Sequence, residues 1–346
     1  MSRESRFLAE EVIPELLGRL CATSRVFAPV RASKTVVAMR AYKDGSPLAL
    51  DRLADLSLKE ILLPQTERLL TYQYKKNLED LARTDLEVRE ILEAPATLVF
   101  GARPCDARAI TLMDAVFTGG QWEDPYYVAR REATTVVSIL CADPAETCFC
   151  SSVGGDPAGR EGADLVLTPV TGGYVAEAVT AKGETLLGDE VFAPAADKAG
   201  EAEEVREKMN LKVEVDLDDM PSHLSELFDS NFWEKVTAKC ISCGACTFLC
   251  PTCYCFNITD EGAGLEGERI RTWDSCMFYH YTLEASGHNP RPTKAERYRN
   301  RIGHKFDYMP SRYDGQYGCT GCGRCIRGCP VSLDIRQVLR EAKTRA

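Results

Sequence analysis

Two short stretches of the chain concentrate cysteines at a spacing that is typical of iron–sulfur ligation. The first is CISCGACTFLCP and the second is CTGCGRCIRGCP, and both follow the pattern C-x2-C-x2-C-x3-C-P. Three thiolates two residues apart can be presented by one tight loop around one face of a cubane, and glycines let that loop bend. The fourth cysteine lies about one helical turn further on, where it is aimed at a different cluster.

Two such runs in one chain predict two [4Fe–4S] clusters, each completed by the fourth cysteine of the other run. The predicted ligands of cluster 1 are Cys240, Cys243, Cys246 and Cys329. The predicted ligands of cluster 2 are Cys319, Cys322, Cys325 and Cys250. Zinc is the alternative metal, although structural zinc sites favour paired C-x2-C units.

Further cysteines in the first half of the chain are candidates for a third [4Fe–4S] cluster. They are Cys105, Cys141, Cys148 and Cys150. Cys105 follows the strand-like TLVFGA at the start of a helical pattern, and Cys141 ends the strand-like TTVVSILC. Because two adjacent strand ends can meet at one edge of a sheet, the four thiols can converge there. The spacing is not a standard run, so zinc and structural or redox thiols stay open as alternatives.

The remaining cysteines do not form a recognisable ligand set. Cys253, Cys255 and Cys276 are interpreted as small buried residues beside the clusters, since free cysteine is commonly buried. The alternative is a further metal site that these thiols form with His280 or His288. Cys21 stands alone in a helical pattern and is interpreted as a core residue.

Cysteine content and net charge limit which cellular compartment and which kinds of partner are expected. The start of the chain, MSRESRFLAEEVIPELLGRL, has no uninterrupted apolar core and is not a signal peptide. The apolar runs TTVVSIL and ATLVF are too short to span a bilayer, so we expect a cytoplasmic protein without membrane insertion. Sixteen cysteines in a reducing compartment favour metal ligation over disulfides. The net charge of −10 disfavours nucleic-acid binding.

The length of 346 residues predicts two or more domains. We predict an α/β or α+β amino-terminal domain over residues 1–193, which holds the possible third cluster. A charged connector is expected over 194–222, as a solvated helix plus a linker. A mainly helical, two-cluster ferredoxin-like domain follows over 223–346, with a long insertion at about 256–318 that separates the two cysteine runs.

Hydrophobic patterns predict the elements that position these cysteines. The segments predicted as strands are RVFAPV, TVVAMRAY, ATLVFGA, TTVVSILCA, ADLVLTPV and GYVAEAVT. Thr171, Gly172 and Gly173 are predicted to form a hairpin turn between the last two. The segments predicted as helices are LEVREILEA and DARAITLMDAVF, together with PSHLSELFDSNFWEKV and SLDIRQVLREA, which flank the cluster runs.

Two features of the insertion have competing interpretations. Gly262, Gly264 and Gly267 form a G-x-G-x-x-G, but a dinucleotide site requires a buried strand before it within a βαβ unit. Only CFNIT precedes it, so a glycine-rich turn is predicted. A basic string is predicted as a solvated helix face, with a docking surface or donors near cluster sulfurs as the alternative. It consists of Arg291, Lys294, Arg297, Arg299, Arg301 and Lys305.

Several motifs together resemble one family across nearly the whole chain. They are GARPCDARAI, CFCSS, CPTCYCF, WDSCMF, GHNPR and the closing ferredoxin run. The family comprises the iron–sulfur β subunit of cytoplasmic sulfhydrogenases, the A subunit of anaerobic sulfite reductase, and the similar subunit of flavin oxidoreductase–heterodisulfide reductase complexes. The resemblance implies an electron-relay subunit between a flavin- and NAD(P)-binding subunit and a catalytic redox subunit. It carries over the cysteines of both runs and the four amino-terminal cysteines.

Two other functional classes compete with an electron relay. A self-contained flavin- or nucleotide-dependent iron–sulfur oxidoreductase would need its own cofactor site, and the glycine motif is in the wrong context for one. An iron–sulfur redox sensor would normally add a nucleic-acid-binding element. The sequence identifies no catalytic residue and no substrate site.

Overall fold

The computed structural model describes residues 5–195, 198–209, 211 and 215–345. In these ranges the strands β1 to β12 are, in chain order, Ser5–Ala9, Arg25–Arg31, Val37–Ala41, Thr66–Lys76, Thr84–Glu90, Thr97–Ala102, Thr134–Ile139, Leu165–Val170, Gly173–Ala178, Ala193–Pro194, Phe256–Ala263 and Glu266–Trp273.

The α-helices of the same ranges are numbered α1 to α13. They are Ile13–Leu20, Lys59–Leu62, Pro104–Phe117, Pro125–Glu132, Ala181–Leu187, Ala199–Lys208, Met220–Glu226, Phe232–Val236, Ala245–Phe248, Lys294–Gly303, Met309–Arg312, Arg324–Arg327 and Ile335–Arg345. Among the described residues, no helix combines the length and the apolar character that crossing a membrane requires.

A mixed eight-stranded sheet forms the centre of the first half of the chain. Its strand order is β10-β1-β9-β8-β7-β6-β2-β3. The strands β2, β6, β7 and β8 run parallel to one another, and the other pairs are antiparallel. Every residue of β6 is buried, as expected for a parallel strand that is covered on both faces. This half of the chain is therefore a mixed α/β fold.

The strand predictions for this sheet are confirmed. All six β-rich segments form strands, namely β2, β3, β6, β7, β8 and β9. Gly172 has a φ of +83° in the turn between β8 and β9, a conformation that favours glycine. The predicted helix after β6 is α3, and it begins with Pro104 in its first turn, where a missing amide hydrogen costs nothing.

A second, antiparallel sheet combines strands from distant parts of the sequence. Its order is β11-β12-β4-β5, so that the insertion supplies one hairpin and the first half of the chain supplies the other. The prediction of a helix for LEVREILEA is wrong, because Leu86 pairs with Tyr74 and Val88 pairs with Tyr72 in this sheet. Pairing with β4 overrides the local helical preference.

The glycine-rich motif forms the turn of the β11–β12 hairpin. Gly262 is paired with Gly267, and Gly264 has a φ of +66° between the two strands. No helix follows the motif directly, and the prediction of a glycine-rich turn is confirmed.

Short helices and an apolar core frame the two cysteine runs in the second half of the chain. Leu224, Trp233, Tyr298 and Val338 belong to this core, and they come from α7, α8, α10 and α13. Helix α10 begins with a capping box, in which the side chains of Thr293 and Glu296 satisfy each other's backbone amides. Several ligand candidates pack directly against the core, including Cys240, Cys246 and Cys325.

Two interpretations of side-chain burial are wrong. Cys21 is exposed at the end of α1, where the amphipathic helix turns its other face to the core, and is not a core residue. Arg297, Arg301 and Lys305 are buried, so the basic string is not a solvated face at these positions. The neighbouring residues Tyr298 and Ile302 belong to the apolar core, so this face of α10 packs against that core.

Candidate iron–sulfur centres

The four thiols predicted for cluster 1 line one cavity. They are Cys240, Cys243, Cys246 and Cys329. The backbone amide of Ser242 donates to Cys240 Sγ over 3.4 Å, and that of Leu333 donates to Cys329 Sγ over 3.2 Å. Such amide donors stabilise negative charge on ligand sulfurs. Gly244 is needed in this loop, because its φ is +75° and a Cβ atom would lie 2.8 Å from the ring of Phe278. The donor set and the amides fit a thiolate-bound cluster.

The thiols predicted for cluster 2 lie deeper in the protein. Cys250, Cys319 and Cys322 are buried, and Cys325 is half-buried. The backbone amide of Gly321 donates to Cys319 Sγ over 3.4 Å, and Thr252 Oγ1 lies 3.2 Å from Cys250 Sγ.

Burial raises the pKa of Cys319 to about 11, and the nearby Cys250 thiolate contributes to that rise. Burial also raises the pKa of Cys325, again with a contribution from Cys250. Burial makes these thiols difficult to ionise. A bound metal offsets this cost, because metal ions replace the thiol protons. The environment of these thiols therefore fits iron–sulfur ligation.

The four amino-terminal cysteines also line a single cavity. They are Cys105, Cys141, Cys148 and Cys150. Cys105 is the second residue of α3, shortly after β6, and Cys141 lies just past the end of β7. Because β6 and β7 are parallel neighbours, both cysteines reach the same edge of the sheet. The structure thus brings the four thiols together, and their role as ligands stays a prediction.

The loop of the second run packs backbone against backbone on the loop that carries Cys148 and Cys150. The amide of Phe149 donates to the carbonyl of Gly321 over 2.8 Å, and Cys148 Sγ lies 3.8 Å from the carbonyl oxygen of Cys322. A Cβ atom on Gly321 would lie 2.5 Å from the backbone nitrogen of Cys150, which leaves room for glycine alone. Cys322 itself lines the amino-terminal cavity.

The three leftover cysteines, Cys253, Cys255 and Cys276, are each half-buried. A hydrogen bond from Cys276, aided by one from Tyr281, lowers the pKa of Cys255 to about 6. Arg301 Nη1 donates to Cys253 Sγ over 3.3 Å.

In the described part of the chain, no three His, Cys, Asp or Glu side chains have the spacing that holds a single metal ion. A cubane is larger than one ion and holds its thiolates further apart. The interpretation of Cys253, Cys255 and Cys276 as small buried residues beside the clusters stays a prediction, and each of the three is half-buried.

The sequence analysis missed three buried basic side chains around these centres. Lys59 and Arg324 were not singled out, and Arg301 was placed on a solvated face. The available signal for Arg301 was its position between the apolar residues Tyr298 and Ile302 on the core face of α10.

Comparison with known proteins identifies the class to which this protein belongs. A family model described as a 4Fe-4S dicluster domain matches residues 239–333, which contain both cysteine runs. The fold and the two runs therefore define an iron–sulfur protein with a dicluster domain.

Over 349 aligned residues the chain is 32% identical to Sulfhydrogenase 2 subunit beta of Pyrococcus furiosus, and the match covers 97% of each protein. The chain belongs to this family of sulfhydrogenase β subunits. No solved structure matches it. The predictions of the family and of an iron–sulfur electron-transfer subunit of an oxidoreductase are confirmed.

Proposed function

We propose that the chain carries three [4Fe–4S] clusters in series and relays electrons within a hetero-oligomeric cytoplasmic complex. One end serves a flavin- and NAD(P)-binding subunit, and the other serves a catalytic redox subunit of hydrogenase, sulfite reductase or heterodisulfide reductase type. The sulfhydrogenase relative favours the hydrogenase type. Each cluster, when bound, supplies one-electron redox chemistry.

The proposal assigns every ligand to this chain. Cluster 1 takes Cys240, Cys243, Cys246 and Cys329. Cluster 2 takes Cys319, Cys322, Cys325 and Cys250. Cluster 3 takes Cys105, Cys141, Cys148 and Cys150. The chain's own side chains present the thiolates, and its backbone amides donate hydrogen bonds to the sulfurs of Cys240, Cys319 and Cys329.

One observation supports the order of the three clusters. Cys325 of the second run lines the cavity of cluster 1, and Cys322 of the same run lines the cavity of cluster 3. One loop thus contributes a cysteine toward each neighbouring site. Cluster 2 is therefore the middle station of the relay.

Both ends of this series are accessible from the surface. At cluster 1, Cys243 is exposed, and its neighbour Ile241 is 62% exposed. At cluster 3, the exposed residues Asp51, Arg52 and Asp143 line the rim of the cavity. A partner subunit that docks on either rim approaches a terminal cluster, which is the arrangement that a relay needs.

The proposal is tested on the full chain, purified anaerobically, with Cys148 and Cys150 both replaced by serine. We expect the loss of about four iron atoms per chain, with the paramagnetic resonance signals of the other two clusters retained. The matched control is Cys21→Ser, which removes an exposed thiol that lines neither cysteine cavity and should lose no iron. An unchanged iron content in the folded double variant would contradict the third cluster.

A further inference from the structure

Two buried positive charges lie between the cysteine runs without a carboxylate partner. Arg301 is 3% exposed, and Lys305 is 4% exposed. Over the residues that the structure describes, neither side chain forms an ion pair with Asp or Glu. Burying a charge is unfavourable unless an opposite charge compensates it. The compensating charge must therefore come from other groups.

The hydrogen bonds of these two side chains lead directly to the cysteine runs. Arg301 Nη1 donates to Cys253 Sγ over 3.3 Å. Lys305 Nζ donates to Thr252 Oγ1 over 3.0 Å and to the carbonyl of Gly318 over 2.7 Å. Thr252 in turn contacts Cys250 Sγ, and Gly318 precedes the first cysteine of the second run.

The cysteines of the two runs are the nearest source of negative charge, which they carry once a bound cluster has replaced their protons. Arg301 lines the same cavity as Cys246 and Cys325. Burial lowers the pKa of Lys305, but the neighbouring Cys250 and Cys253 outweigh burial, so that the pKa is raised. Both cations therefore lie beside the predicted ligands.

We propose that Arg301 and Lys305 are fixed counter-charges that raise the reduction potentials of the two ferredoxin-type clusters. Arg301 acts on both clusters, because it lines one cavity with Cys246, a predicted ligand of cluster 1, and Cys325, a predicted ligand of cluster 2. Lys305 acts mainly on cluster 2, because its hydrogen bonds lead to Thr252, which contacts Cys250, and to Gly318, which precedes Cys319. The inference rests on the proposed ligand sets and deepens the relay function.

The physical reason is electrostatic. Adding one electron makes a thiolate-bound cluster more negative by one charge, and a fixed cation in a low-dielectric interior stabilises that added charge. The cation stabilises the oxidised form less, because the oxidised form carries less negative charge. Removing the cation therefore lowers the reduction potential.

A third buried basic residue, Lys59, has contacts that differ from those of Arg301 and Lys305. Its Nζ donates to the carbonyl of Thr247 over 3.2 Å and lies 3.9 Å from the centre of the Trp273 ring. Burial lowers the pKa of Lys59, whereas the pKa of Lys305 is raised because its cysteine neighbours outweigh burial. The proposal therefore concerns Arg301 and Lys305.

The test is a redox titration of the anaerobically purified full chain, followed by electron paramagnetic resonance. At a fixed potential, Arg301→Gln should lower the ratio of reduced to oxidised cluster at least about tenfold for both clusters. Lys305→Gln should produce such a change for cluster 2 only. Arg301→Lys, which keeps the charge, should restore most of the wild-type ratio.

The matched control is Arg299→Gln, which removes the same charge from the same helix. The Arg299 guanidinium lies 3.7 Å from the centre of the Phe228 ring, donates to the carbonyl of Phe228 and pairs with Asp229 over 3.7 Å. In Arg299→Gln, the ratio of reduced to oxidised cluster should stay within about twofold of wild type, since distant charges are screened.

The outcomes separate this inference from the proposed function. Unchanged potentials in Arg301→Gln, with both clusters present, would overturn the inference, as would equal shifts of both clusters in Lys305→Gln. A wild-type chain without [4Fe–4S] signals would instead overturn the proposed function. If Arg301→Gln fails to fold, Lys305→Gln decides: a shift confined to cluster 2 supports the inference, and no shift overturns it.

Discussion

Asp106 and Arg324 form a bidentate ion pair inside the protein, with N–O distances of 2.7 and 2.8 Å. Their side chains are 2% and 1% exposed, respectively. Asp106 directly follows Cys105 at the start of α3, and Arg324 lies within the second cysteine run. Arg324 also donates from Nε to the carbonyl of Ala54 over 2.8 Å. The pair therefore fixes the proposed third cluster site against the loop of cluster 2.

Breaking this ion pair should destabilise the protein strongly. Asp106→Asn leaves the Arg324 charge buried without its partner, and we expect a loss of about 3–5 kcal/mol in the free energy of unfolding. The measurement is chemical denaturation under anaerobic conditions. The control Asp260→Asn breaks the exposed pair with Arg269 and should have little effect. A loss of less than about 1 kcal/mol in Asp106→Asn would argue against this role.

The close approach of the two loops at Gly321 should be intolerant of a side chain. Gly321→Ala would place a Cβ atom 2.5 Å from backbone atoms of Cys150, so the loops must separate. We expect a lower iron content at the third site, measured by iron analysis of the full chain.

The control for this prediction is Gly264→Ala. Gly264 has nearly the same φ, +66° against +64°, but nothing lies within 4 Å of its added Cβ atom. Both variants carry the same backbone strain, and only Gly321→Ala carries the steric conflict. Equal iron loss in the two variants would mean that strain, and not the contact with Cys150, causes the effect.

The isolated chain should not oxidise NAD(P)H. We expect its clusters to become reducible by NAD(P)H only after a flavoprotein partner is added, because the glycine motif forms a hairpin turn and not a dinucleotide site. Anaerobic absorbance spectroscopy follows the reduction, with dithionite as the positive control. Tight nucleotide binding by the pure chain, measured by calorimetry, would contradict the relay.

The sequence predicts the central strands well and the second sheet poorly. The strands β6 and β7 are buried on both faces, so their β-branched composition alone predicts them. The segment Thr84–Glu90 forms a strand by pairing with β4, and the sequence of the segment does not reveal this partner. Its alternation of Leu86 and Val88 with charged residues was the available strand signal, and the helical spacing of the longer segment concealed it.

The cysteine runs predict the candidate clusters, but not the charges around them. Ligand spacing is a local property, which makes the thiols of each run recognisable without a structure. The burial of Arg301 and the pairing of Asp106 with Arg324 depend on packing between residues far apart in the sequence. Basic residues are exposed in most proteins, so the residue type of Arg301 favoured the wrong interpretation, that of a solvated face.

The relay is tested most directly by the metal content of the full chain, purified anaerobically, with iron and acid-labile sulfide measured beside quantitative electron paramagnetic resonance. Three clusters predict about twelve iron atoms and about twelve sulfides per chain, with signals of three reduced [4Fe–4S] centres. About eight iron atoms would remove the third station from the relay. Zinc with little iron after anaerobic reconstitution would contradict the account as a whole.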